Sequence, residues 1–237
     1  MLHAFNQKKS RLYLRYLGHR DDPDEKRVAE EDEIISLIMG PLAFLSPGAI
    51  AAFWEALVRL RNPQVAFPAG APSRATVQFW PRNHNVEPDL RVDLAWGAVT
   101  RTLLVEFKWR APLSSQNQLH DQWTIYLDEQ ERANALHLFI GLDTSEGLNA
   151  QNRQDDWHGK LILRSWFDVL TALSTIKEGA GLELHRWSEQ VRECFELLAV
   201  KEFSGFDKLA APVLPTPEAA LFFRLPDPDT LMEHDAK

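Results

Sequence analysis

The chain has 237 residues, 45% hydrophobic and 25% charged, with eight tryptophans, a composition that supports one sizeable core without disulfides or a structural metal. Its formal net charge of −8 argues against a surface that grips duplex nucleic acid by bulk electrostatics, because counterion release rewards clustered Lys and Arg. No apolar run reaches the roughly 18 to 20 residues needed to cross a bilayer, and the longest, IISLIMGPLAFL, is interrupted by Gly40 and Pro41.

The opening segment, MLHAFNQKKSRLYLRYLGHR, has scattered basic residues but no compact apolar stretch or small-residue cleavage site, so no signal peptide is expected. The single Cys194 has no internal partner and suits a reducing cytoplasm, the expected location. HRDDPDEKRVAEEDE (19–33) sets eight acids against three Lys or Arg, while the segment before it is basic, which leaves room for a local basic groove on an acidic chain. Apolar residues at Val28, Ile34, Ile35, Leu37, Ile38, Leu42 and Leu45 predict a helix from Pro23 to about Leu45. The acids Glu30, Glu31, Asp32 and Glu33 crowd its early turns, where the macrodipole favours them.

SPGAIAAFWEALVRLRN (46–62) predicts a second helix, with Ser46 as N-cap and Pro47 at the first helical position. After a loop the pattern changes to short β-branched and aromatic runs, predicting strands at 75–82, 90–96 and 102–109. A helix at 116–132, strands at 135–142 and 159–166, and helices at about 166–178 and 185–200 follow. The order α-α-β-β-β-α-β-β-α-α predicts an α/β fold with a mixed sheet flanked by helices. Residues 1–203 form the expected domain, and the Pro-rich 204–237 read as an extended C-terminal arm.

The stretch VEPDLRVDLAWGAVTRTLLVEFKWR (86–110) puts charges where a buried hairpin has little use for them. Alternation sends Leu90, Val92, Leu94 and Trp96 to one face and Asp89, Arg91 and Asp93 to the other; in the next strand Glu106 and Lys108 oppose Val105 and Phe107. A turn within GAVTR lets the polar faces coincide, bringing Asp89 or Asp93 near Glu106 and Lys108. Asp93 lies closer to Glu106 along the chain, so either Asp qualifies. Converging carboxylates repel and buried charge needs compensation, a conflict that a divalent cation removes. Mg²⁺ is held by one or two carboxylates plus waters and substrate phosphate, and a nearby Lys orients or deprotonates a water or neutralises developing charge. That chemistry is metal-dependent phosphodiester hydrolysis.

These residues resemble the PD-(D/E)XK, or restriction-endonuclease-like, nuclease superfamily: EPD at 87–89, then VEFK at 105–108 as the Glu-x-Lys element, within about residues 28–175. The resemblance implies a restriction-endonuclease-like mixed sheet flanked by helices, with extra N-terminal helices and a C-terminal helical and Pro-rich extension. It implies Asp89 and Glu106 as metal ligands and Lys108 as the catalytic lysine. It also implies a metal-shell Glu on the first core helix, with Glu31 first choice and Glu33 or Glu30 in reserve. A Gln on the helix after the Glu-x-Lys strand is implied as well: Gln118, with Gln122 one turn further. The cofactor is then Mg²⁺ or Mn²⁺, the substrate DNA rather than RNA, and the role one in prokaryotic defence or nucleic-acid processing.

Other features carry less. His120-Asp121 lacks a second His-rich element for a metal site, GLDTSEG (141–147) lacks the Gly-Lys-Ser/Thr of a phosphate loop, and His137, His158 and His185 read as structural. Arg110 is the expected phosphate contact, and Trp109 or Trp123 offers an indole for base stacking, against the general tendency of Trp to pack in cores. The chain thus reads as a metal-dependent endodeoxyribonuclease, acting alone, as a homodimer or with an activating protein partner, and without membrane association. The rival is a non-catalytic binding or assembly module that keeps the nuclease fold.

Overall fold

The computed structural model describes residues 2–6, 13–17, 30–176 and 181–201. The chain divides into a unit Met1–Glu202 and a second, Phe203–Lys237; the second unit, with the predicted Pro-rich arm, and the start of the helix predicted from Pro23 lie outside the described residues. In chain order the described elements are α1 (Leu2–Asn6), α2 (Tyr13–Tyr16), α3 (Glu30–Leu42), α4 (Pro47–Arg59), β1 (Arg74–Phe79), β2 (Leu90–Trp96) and β3 (Val99–Lys108). Then come α5 (Gln118–Asp121), a π-helical turn (Gln122–Tyr126), α6 (Glu129–Asn134), β4 (Ala135–Gly141), α7 (Ser145–Arg153), β5 (Leu161–Ser165), α8 (Trp166–Thr175) and α9 (Leu182–Leu197).

The strands form one mixed five-stranded sheet in the order β1-β2-β3-β4-β5, antiparallel from β1 to β3 and parallel from β3 to β5. Antiparallel neighbours close with a tight turn, here Gly97-Ala98 with Gly97 at φ +63°. Parallel neighbours need a crossover: α5, the π turn and α6 bridge β3 to β4, and α7 bridges β4 to β5. Helix α7 is not among the elements expected from the sequence, and its Gly, Asn and Gln content is weak as a helix signal. Gly147 lets it approach closely, since a Cβ there would lie 2.6 Å from Leu163 Cδ2. The helix predicted at 116–132 is instead broken three ways. The first strand stops at Phe79 because Trp80 takes φ +47° ahead of Pro81.

The central strands β3 and β4 are buried on both faces, against two separate apolar clusters, while edge strand β1 leaves one face exposed. Leu90, Val92, Leu94, Leu103, Val105, Phe107, Leu138 and Ile140 face α3, α4, α8 and α9 in the larger one, which includes Phe53, Trp54, Trp166 and Phe195. Leu104, Phe139 and Leu161 face Leu119, Trp123, Tyr126 and Trp157 in the smaller one, under α5 to α7. The N-cap expected of Ser46 is present, its hydroxyl accepting from Ala49 N at 3.3 Å, and the same hydroxyl donates to Glu183 in the first turn of α9. Buried Arg164 in β5 donates to the carbonyls of Leu57 and Val58 at 2.8 and 2.6 Å, closing the end of α4 against the sheet. Among the described residues no helix is long and apolar enough to cross a membrane.

Candidate active site around Lys108

The charges of β2 and β3 meet on the face covered by the smaller cluster. The hairpin register pairs Leu90 with Val105 and Val92 with Leu103, so Asp89, one residue before the strand, comes opposite Glu106. Local chain geometry delivers it there. His84 and Asn85, both at positive φ, close a tight turn bridged by Asn83 and Val86, and the Asp89 carbonyl accepts from Trp80 N at 2.9 Å. The Asp89 side chain then accepts the Phe107 N–H at 2.7 Å.

Asp93 does not reach the site. The same register pairs it with Thr102, about 13 Å along the strand from Asp89 at 3.3 Å per residue. It accepts from Thr102 Oγ1 at 2.7 Å and Arg91 Nε at 2.9 Å. Proximity to Glu106 in sequence becomes distance in an antiparallel hairpin, which settles the choice between the two aspartates in favour of Asp89 as the neighbour of Glu106.

Glu106 and Lys108 alternate onto the same face, and Lys108 Nζ lies 2.7 Å from Glu106 Oε1 and 2.8 Å from Glu31 Oε1. Glu31 arrives from the first turn of α3, and its other oxygen accepts the Trp109 N–H at 2.8 Å. Of the reserves, Glu33 takes the Tyr16 hydroxyl at 2.9 Å and so faces another partner. The end of β3 is anchored by the Trp166 indole, which donates to the Lys108 carbonyl at 2.9 Å.

Two amides complete the shell. Gln118 Nε2 donates to Glu106 Oε1 at 2.6 Å, while its Oε1 accepts from Ser114 N and Oγ at 2.7 and 2.9 Å. A backbone N–H only donates, so the Gln118 orientation is fixed with its NH₂ turned to Glu106. Gln122 Nε2 donates to Glu106 Oε2 at 2.7 Å, and Gln122 Oε1 meets His137 Nε2 at 3.1 Å. Sequence reading had ranked Gln122 second and left His137 as bulk core. The signal available was a lone His inside ALHLFIG, a strand with every residue buried, where an imidazole requires a partner.

Electrostatics follow from this geometry. Burial, then the charge of Glu106, pushes the Asp89 carboxyl up to about 8, against the pull of the Phe107 N–H and Lys108. Burial raises Glu106 as well, opposed by Lys108 and Gln122. Burial works to lower Lys108, but the charges of Glu106 and Glu31 outweigh it and hold the ammonium firmly protonated.

The peripheral expectations fare differently. Arg110 is exposed beside the site. Trp109 is buried, edge-on to Trp166 at 5.7 Å, with its indole N–H given to the Tyr16 carbonyl, so it presents no ring to a base. Trp123 is likewise buried, stacked on His137 at 7° between planes. Both fill the core, which corrects the stacking role expected of them. Buried His120 contacts Gln154 O at 2.9 Å and Arg153 Nη2 at 3.1 Å, tying α5 to α7.

Among the described residues no three His, Cys, Asp or Glu side chains are arranged as a metal-holding group. The donor set is nevertheless all oxygen: Glu31 and Glu106 contact one ammonium and Asp89 stands opposite Glu106, a grouping that would suit a hard divalent cation held by two carboxylates. Compared with protein-family models, curated proteins and solved structures, the chain matches none.

Proposed function

We propose that the protein is a metal-dependent nuclease of the PD-(D/E)XK type with a restriction-endonuclease-like core, acting on DNA. The observation that carries this reading is a fully buried Glu106 surrounded by three donors, Lys108, Gln118 and Gln122, with Asp89 opposite it and Glu31 across the ammonium. Keeping like charges together in a low-dielectric setting is unfavourable for stability alone. Residues of Asp, Glu and Lys type at the end of a hairpin make sense as a phosphoryl-transfer site.

In this reading Asp89 and Glu106 hold Mg²⁺ or Mn²⁺, with Glu31 the third acid of the network. The ion supplies Lewis-acid polarisation of the phosphate and a more acidic water. Lys108 acts as a charged donor. Its ammonium stays protonated between two carboxylates, so it orients the attacking water and stabilises charge on the phosphorane and is no general base. Gln118 and Gln122 hold Glu106 in place, and Arg110 contacts phosphate beside the site.

The test is cleavage of plasmid and single-stranded DNA with Mg²⁺ or Mn²⁺, against a chelator control, by the native chain and by folded Glu106→Ala and Lys108→Ala. Metal-dependent cutting lost in both variants supports the reading. Cutting that survives in both, or no cutting by the native chain, refutes a self-sufficient nuclease and favours the assembly-module alternative.

A further inference from the structure

Behind Glu106 runs a second line of contacts that the reaction does not touch. Trp157 Nε1 lies 2.9 Å from His137 Nδ1, His137 Nε2 lies 3.1 Å from Gln122 Oε1, and Gln122 Nε2 lies 2.7 Å from Glu106 Oε2. Trp157, His137, Gln122 and Glu106 are all buried. The direction of this chain follows from its first member. An indole N–H can only donate, so His137 Nδ1 must be the acceptor. A neutral imidazole then carries its proton on Nε2, which must find an acceptor, and only the carbonyl end of the Gln122 amide provides one. The NH₂ end is thereby turned to Glu106.

We infer that His137 and Trp157 are positioning residues that lock the Gln122 amide with its NH₂ toward Glu106 and so hold Oε2 of this carboxylate in one place. The inference rests on the reading of Glu106 as the site carboxylate. Gln122 cannot flip its amide without breaking its bond to His137 and turning its carbonyl to Glu106. The ring itself is held neutral by its setting: burial, with a smaller contribution from His120, pushes its pKa down to about 3. Trp123 stacks against one side of it and Trp157 leans against another.

The decisive experiment labels the full chain with ¹⁵N-histidine and reads the ring nitrogens of His137, assigned by their loss in His137→Gln, at pH 6 and pH 8. The expected result is a neutral ring with its proton on Nε2 at both pH values. In Trp157→Phe, checked for folding by circular dichroism, both tautomers should appear and Mn²⁺ affinity should fall about tenfold. A purely structural Trp157 would lower the melting temperature and leave Mn²⁺ affinity alone. A native ring protonated on Nδ1 or on both nitrogens overturns the inference, as does a folded Trp157→Phe that binds Mn²⁺ like the native chain. If Trp157→Phe does not fold, the native tautomer alone decides. If the native chain binds no Mn²⁺, the metal reading fails separately and the tautomer still decides the lock.

Discussion

Glu106 and Asp89 face each other across one hairpin and solve burial differently. Glu106 meets three donors, and Lys108 and Gln122 among them oppose the upward push that burial gives its carboxyl. Asp89 accepts the Phe107 N–H, and burial, then the charge of Glu106, outweigh that bond and push its carboxyl from an ordinary 3.8 up to about 8. The sign of the consequence is set by proton uptake. Between about 4 and 8 the folded chain keeps a proton that the unfolded chain has lost, so this contribution to stability is complete below 4 and lost as pH rises through 8. Asp89→Asn keeps the acceptor for Phe107 and removes the titration. In chelator it should match the native chain at pH 4 and exceed it at pH 8 by about 0.5–2 kcal/mol, measured by urea unfolding. Asp89, Glu106 and Lys108 were legible because side chains alternate in strands. The lock through His137 and Trp157 was not, since it joins residues from separate elements whose contact only the packed smaller cluster creates.

The elements behind the site are shaped by backbone accounting. The chain after β3 looks like one long helix in sequence, yet it breaks into α5, a π turn and α6. Gln118 and Gln122, four apart and so on one helical face, both reach Glu106, while Trp123 and Tyr126 of the π turn enter the core. Its released carbonyls find one partner: Arg132 Nη1 lies 3.3, 3.1 and 2.6 Å from the oxygens of Trp123, Thr124 and Leu127. Arg132→Met leaves these acceptors unmet and should lower stability by about 1–3 kcal/mol, seen as a lower urea midpoint at unchanged slope. No periodicity announces such a break, because the sequence up to Tyr126 keeps a helical spacing. Helix α7 was hidden for a related reason. Its polar composition is weak as a helix signal, and the requirement for a parallel crossover appears only once β4 and β5 are known to be neighbours.

At the scale of the molecule, the sheet brings Asp89, Glu106 and Lys108 together at one end, where the first turn of α3 meets the end of β3 and the start of β2. The mixed α/β architecture followed from the order of elements; the Trp-rich identity of each core layer did not, since Trp109 and Trp123 sit beside the site in sequence but inside the fold. With a net charge of −8 and Arg110 the exposed cation beside Lys108, DNA binding should lean little on counterion release. A labelled duplex titrated at increasing salt should give a slope of about −1 to −2 in log affinity against log salt, one or two phosphates' worth. The most direct test of the whole account is Mg²⁺-dependent DNA cleavage by Asp89→Asn, a variant that retains the backbone hydrogen bond and relieves the crowding of charge. We predict a folded chain, at least as stable as the native one, whose cleavage falls by about a hundredfold or more. A destabilised Asp89→Asn that cuts DNA at the native rate would contradict it, for the carboxylate would then serve the fold and not the chemistry.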